Sequence, residues 1–540
     1  MKLYLVLAAA LAWTAPCSAL KLVSLRCEGV VDPLAVQTGQ PGLSWLLEAD
    51  RASQTDLAQS AYRVIVASSR RLAEAGRGDV WDSGKVASRD TIQIQYMGQP
   101  LASGEEYFWT VQVWDQAGQP SARSGVTTFR MGLLRPEDWK ARWISGPPAE
   151  MSMPVFRRVV RFDKKIRRAI VYISGLGQYE LQIRGRKIGN AVLAPGWTDY
   201  RKTILYNAYD VTSALTTGDN DIGVMLGNGF FDVPGIPGRY TKLVESFGRP
   251  MMIAQIHVVF TDGSSTDVVS DTSWKTRAGP ITTSHQYGGE DYDARLESDR
   301  DWQSALTATP PGGRLVAQLS PDIRVMETFR TQSVKEPGPG VRIYDLGQNF
   351  SGWPRITVRG PAGATVKMFP AELLNPEGLV LQHNSGSPVW FSYTLKGSGS
   401  ETWSPRFSYY GFRYLQVETT GAEVTSVEGQ FVHSSAPVTG EFSCSNDLFN
   451  RIHKLIDMAI VSNMQSVLTD CPHREKLLTE WYKVSRKAEW TRLEDVRKDF
   501  RSVDQVGEAL VFARRLERSP TDHHRRVSDE EDLCESLDEP

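Results

Sequence analysis

Two carboxylates and a guanidinium fall within six residues at Asp470-Cys471-Pro472-His473-Arg474-Glu475, just beyond the end of an apolar helical pattern. These are the groups that general acid catalysis uses. A carboxyl in a cleft has its pKa raised by burial and by a neighbouring carboxylate, and lowered by an adjacent Arg. A quieter reading uses the same residues: Asp470 suits a helix N-cap, Pro472 a first helical turn, and Glu475 a place where a carboxylate complements the helix dipole. Spacing alone does not choose between them. Cys471 and His473, two residues apart, have no second ligand pair nearby, so neither zinc nor any other cofactor is expected.

The element that delivers this cluster is a helix. Asp447, Leu448, Ile452, Leu455, Ile456, Met458, Ala459 and Met464 recur at three- and four-residue steps, which predicts one amphipathic helix whose apolar face needs partners. Everything upstream is β-type. Tyr107, Trp109, Val111 and Val113 alternate on one face ahead of the Asp115-Gln116-Ala117-Gly118 turn, which predicts a fibronectin- or immunoglobulin-like sandwich over 20–133 with its Trp side chains in the core. Tyr172 to Ile183 alternates around two glycines, the pattern of a bent strand. Phe412, Tyr414 and Val417 predict a sandwich face filled by rings, and Trp353 the same. Trp197, Asp199, Tyr200, Phe230 and Phe231 lie in turn-rich contexts, where they either pack an interface or offer a sugar an aromatic face and a carboxylate.

The stretch Asp470 to Leu477 resembles the signature that opens the active site of bacterial α-L-rhamnosidases, glycoside hydrolase family 78. The resemblance extends upstream through 169–181, 193–200, 227–231, 288–295, 344–353 and 407–415. It implies a multidomain, mainly β chain: the sandwich, a galactose-binding-like jelly roll over 150–330, a concanavalin-like β-sandwich over 331–436, then the first helix of an incomplete (α/α)6 barrel within 437–477. It also implies roles, with Glu475 the general acid that protonates the glycosidic oxygen and Asp470 and Arg474 holding the rhamnose ring. The implied reaction is inverting and needs a second carboxylate across the ring, which the family draws from further along its barrel.

A chain of 540 residues exceeds one core and should hold several domains. With 61 Lys+Arg against 63 Asp+Glu, nothing in the charge favours a nucleic-acid or anionic-membrane partner. The expected partners are rhamnose-containing glycosides or polysaccharides, and the sequence leaves the oligomeric state open. Residues 1–19 read as a secretory signal, with an apolar run from Leu3 to Trp13 and cleavage after Ala19, so a secreted or periplasmic location without a membrane span is expected. Five Cys are too few and too scattered for a disulfide framework.

After Leu477 the resemblance to the rhamnosidases stops, and 28 of the 63 residues in 478–540 are charged. Such a segment buries little and is expected to be a divergent tail, as in a truncated or frame-shifted member. Without the base, an α-L-rhamnosidase would be inactive or impaired. The alternative is a catalytically silent secreted carbohydrate-binding protein.

Overall fold

The computed structural model describes residues 20–50, 56–147 and 152–477. The expected signal at 1–19 and the charged tail at 478–540 lie outside the described residues.

Period-two alternation builds the first unit. Tyr107, Trp109, Val111 and Val113 are all buried along the strand Glu106–Asp115. That strand belongs to a five-stranded sheet which shares one core with a three-stranded sheet made of Leu20–Cys27, Gly42–Ala49 and Ile94–Gln95. Trp45 sits edge-on to Tyr62 at 5.4 Å and donates its indole N–H to Gln59 Oε1 at 3.0 Å, so its one polar atom is satisfied inside the core. The result is an immunoglobulin-like sandwich. It is tied to the second unit through Tyr206, whose hydroxyl donates to Gln37 Oε1 at 2.8 Å and accepts the N–H of Leu133 at 3.1 Å. An Arg168–Glu106 ion pair joins the same two units.

The second unit is a six-stranded sheet facing a seven-stranded one across a shared apolar core. The strand Ile166–Leu176 belongs to one sheet and its continuation Gln178–Ile183 to the other. The crossing point is Gly177, where an added Cβ would lie 1.9 Å from the carbonyl oxygen of Asn228, so no larger residue fits without moving backbone. This is the bend anticipated around the two glycines.

The third unit is a ten-stranded sheet built on the 19-residue strand Val341–Arg359, which pairs with both Tyr410–Thr420 and Glu423–Ser434. Ile281–His285, Gly289–Asp293 and Ile323–Arg330 hydrogen-bond into this sheet, so the second and third units are continuous through backbone pairing. Phe412, Leu415 and Val417 are buried, whereas Tyr414 is only half-buried, with the Arg413 guanidinium 5.0 Å from its ring. Alternation through Tyr414 fails because the register slips between Asp345 and Phe350 on the partner strand. Trp353 packs with Leu193, Ile323, Tyr409 and Val432, at the boundary of the two units rather than within the sandwich core.

The anticipated helix is present as Asp447–Ser462. Its N-cap Asn446 accepts the N–H of Leu448 at 2.9 Å. Met458 and Val461 pack against the core of the third unit, while Leu448, Phe449, Leu455 and Ile456 are exposed. Met464 lies beyond it, in a two-residue strand. Among the described residues no helix is long and apolar enough to cross a membrane.

Candidate active site

The chain leaves the helix through a small hairpin, Met464–Gln465 with Val467–Leu468. Gln465 Nε2 anchors it by donating to Val432 O at 2.7 Å and to Ser351 Oγ at 3.1 Å, both on the third sheet. From the second unit, Trp197 donates its backbone N–H to Ser466 Oγ at 3.2 Å and stacks on Phe230 at 4.5 Å. These two rings therefore pack the junction under the hairpin. Asp199 holds its own turn, accepting from Arg201 Nε at 3.0 Å.

Residues 470–477 form a closed turn, not the helix start that an N-cap reading of Asp470 requires. Asp470 N–H donates to Leu477 O at 2.9 Å, and Asp470 Oδ1 accepts the N–H groups of Cys471 at 2.8 Å and Leu477 at 3.1 Å. Burial raises the pKa of Asp470. Those backbone hydrogen bonds oppose the rise and the charge of Glu475 adds to it.

Glu475 is buried, with 4% of its surface exposed. Its Oε1 accepts from Arg474 Nε at 2.7 Å and lies 3.5 Å from Lys242 Nζ, and its Oε2 accepts from the Cys471 thiol at 3.2 Å. Burial pushes its pKa up. The bonds from Arg474 and Cys471 and the charges of Arg474 and Lys242 outweigh that and hold the carboxyl below its ordinary value. Arg474 is half-exposed, so its remaining N–H groups face the open side of the loop.

The next residue reverses the pattern. Lys476 is fully buried and donates to Gln286 O at 2.6 Å and to Tyr409 O at 2.5 Å, with the Tyr409 ring 4.5 Å from its ammonium. Burial pushes its pKa down to about 7. Its φ of 53° is a left-handed conformation unfavourable to a residue with a Cβ, and the two anchors hold it there. His473 Nδ1 lies 2.8 Å from the backbone nitrogen of Arg474 and its Nε2 3.1 Å from Glu372 Oε2; burial pulls its pKa down, but Cys471 and Glu372 outweigh that and push it up to about 9. Tyr240 OH donates to Arg474 O at 3.2 Å. Beneath the loop, Lys476, Gln286, Tyr409, Gln465 and Trp197 border a cavity of ≈ 20 Å³, room for a water molecule.

The structure thus brings Asp470, Arg474 and Glu475 together, and side-chain oxygens of Asp470 and Glu475 lie within 4.8 Å of one another and of Cys471 Sγ. Lys476, Lys242, Tyr240 and Glu372 are additions that the sequence reading did not assign. Lys476 stood inside the motif, but nothing in its spacing shows that it points into the protein. The three acidic and thiol ligand atoms could hold a cation by distance alone. Arg474 and Lys242 already supply the positive charge, so the set does not fit a metal ion.

Five family models match the chain. The Rha78A-like N-terminal immunoglobulin domain matches 22–135, the α-L-rhamnosidase N-terminal domain 164–327, the bacterial α-L-rhamnosidase concanavalin-like domain 335–433, and the bacterial α-L-rhamnosidase 6 hairpin glycosidase domain 437–490. A RelE-like toxic component of a toxin-antitoxin system matches 474–513, of which only 474–477 are described. An α-L-rhamnosidase of Formosa agariphila is 32% identical over 82% of this chain and 51% of its own length. One of Streptomyces avermitilis is 30% identical over 85% of this chain and 62% of its own. The chain therefore spans about half the length of the curated relatives it matches. Among solved structures, the α-L-rhamnosidase of Dictyoglomus thermophilum aligns with TM-score 0.78 and 39% identity over 84% of this chain and 53% of that one. The S. avermitilis enzyme complexed with L-rhamnose aligns with TM-score 0.79 and 28% identity, over 84% and 61%. With successive rhamnosidase models matched in order along 22–490, the chain belongs to the bacterial α-L-rhamnosidase family.

Proposed function

We propose that the chain carries the acid side of an α-L-rhamnosidase site acting on rhamnose-containing glycosides. Glu475 donates the proton to the leaving glycosidic oxygen, while Asp470 and the exposed N–H groups of Arg474 hold the ring. The observation that carries this reading is the loop at 470–477, which pins one buried carboxylate between an Arg, a Lys and a thiol within the span of the hairpin glycosidase model. The relative solved with L-rhamnose supports the substrate class.

The stereochemistry we infer is inverting. Carboxyl groups that serve an inverting reaction stand about 6.5–9.5 Å apart to admit a water. Asp470 approaches Glu475 within 4.8 Å, too close for that role, so the base comes from another residue across the ring. On the same reading the helix Asp447–Ser462 is the first of an (α/α)6 barrel, its exposed apolar face turned toward further helices. The N-terminal sequence supports export as part of the proposal.

One observation favours a second reading, a catalytically silent carbohydrate-binding protein: Glu475 is held ionised, and an ionised carboxyl has no proton to give. In the first reading the substrate displaces Arg474 from Glu475 before the proton moves.

The test is leaving-group dependence. Glu475→Gln should lower turnover of unactivated rhamnosides by about 10²–10⁴-fold while partly sparing an aryl rhamnoside with a good leaving group, which needs little protonation. Equal loss on both substrates assigns Glu475 a structural role. Heat of L-rhamnose binding with no turnover of either substrate by the unaltered chain selects the second reading.

A further inference from the structure

Lys242, the second cation at Glu475, comes from a different unit than the loop it touches. Its segment, 234–244, leaves and rejoins the second unit through the paired strands Asp232–Val233 and Glu245–Ser246, and has no helix or strand of its own. Such an arm keeps one position only if side chains fasten it.

Two buried side chains do so. Arg239, 8% exposed, donates from Nη1 to Gly288 O at 2.7 Å and to Trp390 O at 3.1 Å. Its Nη2 pairs with Asp291, and the guanidinium lies 3.8 Å from the centre of the Trp390 ring. His285 is also buried, and desolvation pushes its pKa down to about 4, so the ring is neutral above that pH. Its Nδ1 accepts the N–H groups of Tyr287 at 3.1 Å and Gly288 at 2.7 Å. The proton is therefore on Nε2, 2.7 Å from Pro234 O and 3.1 Å from Thr241 Oγ1. Tyr240 adds its backbone N–H to Pro388 O at 2.9 Å. Pro388 and Trp390 lead into the strand Phe391–Thr394 of the ten-stranded sheet, so the third unit holds the arm in place.

The fastened arm meets the loop at 470–477 twice. Tyr240 OH reaches Arg474 O, and Lys242 Nζ stands 3.5 Å from Glu475 Oε1, its one ion-pair partner among the described residues. Oε1 thus has two cations, and they differ in support. Arg474 adjoins Glu475 on the same turn, and in the acid reading its guanidinium passes to the sugar ring. Lys242 hangs from the arm and stays when Arg474 leaves.

We infer that Lys242 is a further positioning residue for the proposed reaction, supplied by the second unit: it keeps a cation at Glu475 Oε1 after substrate has drawn Arg474 away, with Arg239 and His285 fixing the arm that carries it. The inference rests on the reading of Glu475 as the acid. In that reading the O–H bond of Glu475 breaks, the proton passes to the glycosidic oxygen as the C–O bond opens, and the O–H electron pair stays on the carboxyl. A cation already placed at Oε1 stabilises that carboxylate as it forms.

Titration of the Glu475 carboxyl by carbon-13 NMR in the full chain tests it, with Lys242→Met and Lys242→Arg made alone and together with Arg474→Gln. The other titratable groups that act on Glu475 or feel its charge, Asp470, Cys471, Tyr240 and Tyr287, stay the same in every variant. Lys242→Met should raise the midpoint by about half a pH unit or more, and by more in the Arg474→Gln chain. Lys242→Arg should keep the midpoint of the unaltered lysine in both. Arg239→Met, with Lys242 intact, should reproduce the rise by freeing the arm; the Lys242 variants change an exposed side chain and keep the test decisive if Arg239→Met does not fold. No rise in Lys242→Met, a rise that vanishes once Arg474 is replaced, or an equal rise in Lys242→Arg would each overturn the inference, as would a folded Arg239→Met with an unmoved midpoint. The titration reads ionisation whether or not the chain turns substrate over, so its failure is distinct from failure of the acid assignment, which leaving-group dependence decides.

Discussion

Arg474 Nε lies 2.7 Å from Oε1 of Glu475, its immediate neighbour in sequence, while the side chain of the next residue, Lys476, turns the opposite way into the protein. The consecutive triplet thus places an exposed cation, a buried anion and a buried cation on one turn. The first two set the proton affinity of the proposed acid, and the third fixes the turn that holds them.

If Arg474 is what keeps Glu475 ionised, Arg474→Gln should release the carboxyl to the influence of burial. The pKa of Glu475 then rises above its ordinary value of 4.5, because Cys471 and Lys242 alone oppose desolvation less strongly. Titration of the Glu475 carboxyl by carbon-13 NMR reads this directly. A value that stays below 4.5 would show that Lys242 or Cys471 is the controlling partner.

Lys476 gives a pH signature of opposite kind. Its pKa falls from 10.5 toward about 7 on folding because burial disfavours the ammonium. Between those values the unfolded chain binds a proton that the native chain does not, so stability should rise with pH from about 7 to 10 and be flat below about 7, where both states hold the proton. Lys476→Met should flatten that slope, by up to a few kcal/mol across the window. Urea unfolding at pH 6.5, 8 and 9.5 measures it. A slope identical in Lys476→Met and the unaltered chain would mean that the ammonium is not desolvated as its surroundings indicate.

The sequence made the strands and the helix readable because each is a short-range pattern. Trp109 and its alternate neighbours, or Leu448 and Ile452 one turn apart, betray their element within a window of ten residues. The candidate site was readable only as a local cluster. What tunes it lies far off: Lys476 reaches Gln286 across 190 positions, and His473 reaches Glu372 across 101. No periodicity encodes such pairings, which arise because the strands Ile281–His285 and Gly289–Asp293 join the third sheet and carry Gln286 beside Tyr409. Tyr414 shows the converse failure, a correct strand whose facing was changed by a register slip on its neighbour. Trp353 was rightly read as buried, yet its partners Leu193 and Ile323 come from segments that a strand-by-strand reading had placed elsewhere.

The helix Asp447–Ser462 offers a test of its two faces. Met458 and Val461 pack on the core of the third unit, so Met458→Ala should cost about 1–3 kcal/mol, somewhat below the range for a fully buried large-to-small change. Leu455 is 68% exposed, so Leu455→Gln should stay within about 0.5 kcal/mol. The contrast, read by urea unfolding of the two variants in parallel, reports on what covers the outer face in solution. If Leu455→Gln costs as much as Met458→Ala, that face is packed against other residues, and the helix is already enclosed on both sides in the intact chain. If the two differ as expected, the outer face stands free, and the helix holds its place through the third sheet and the Gln465 anchor alone.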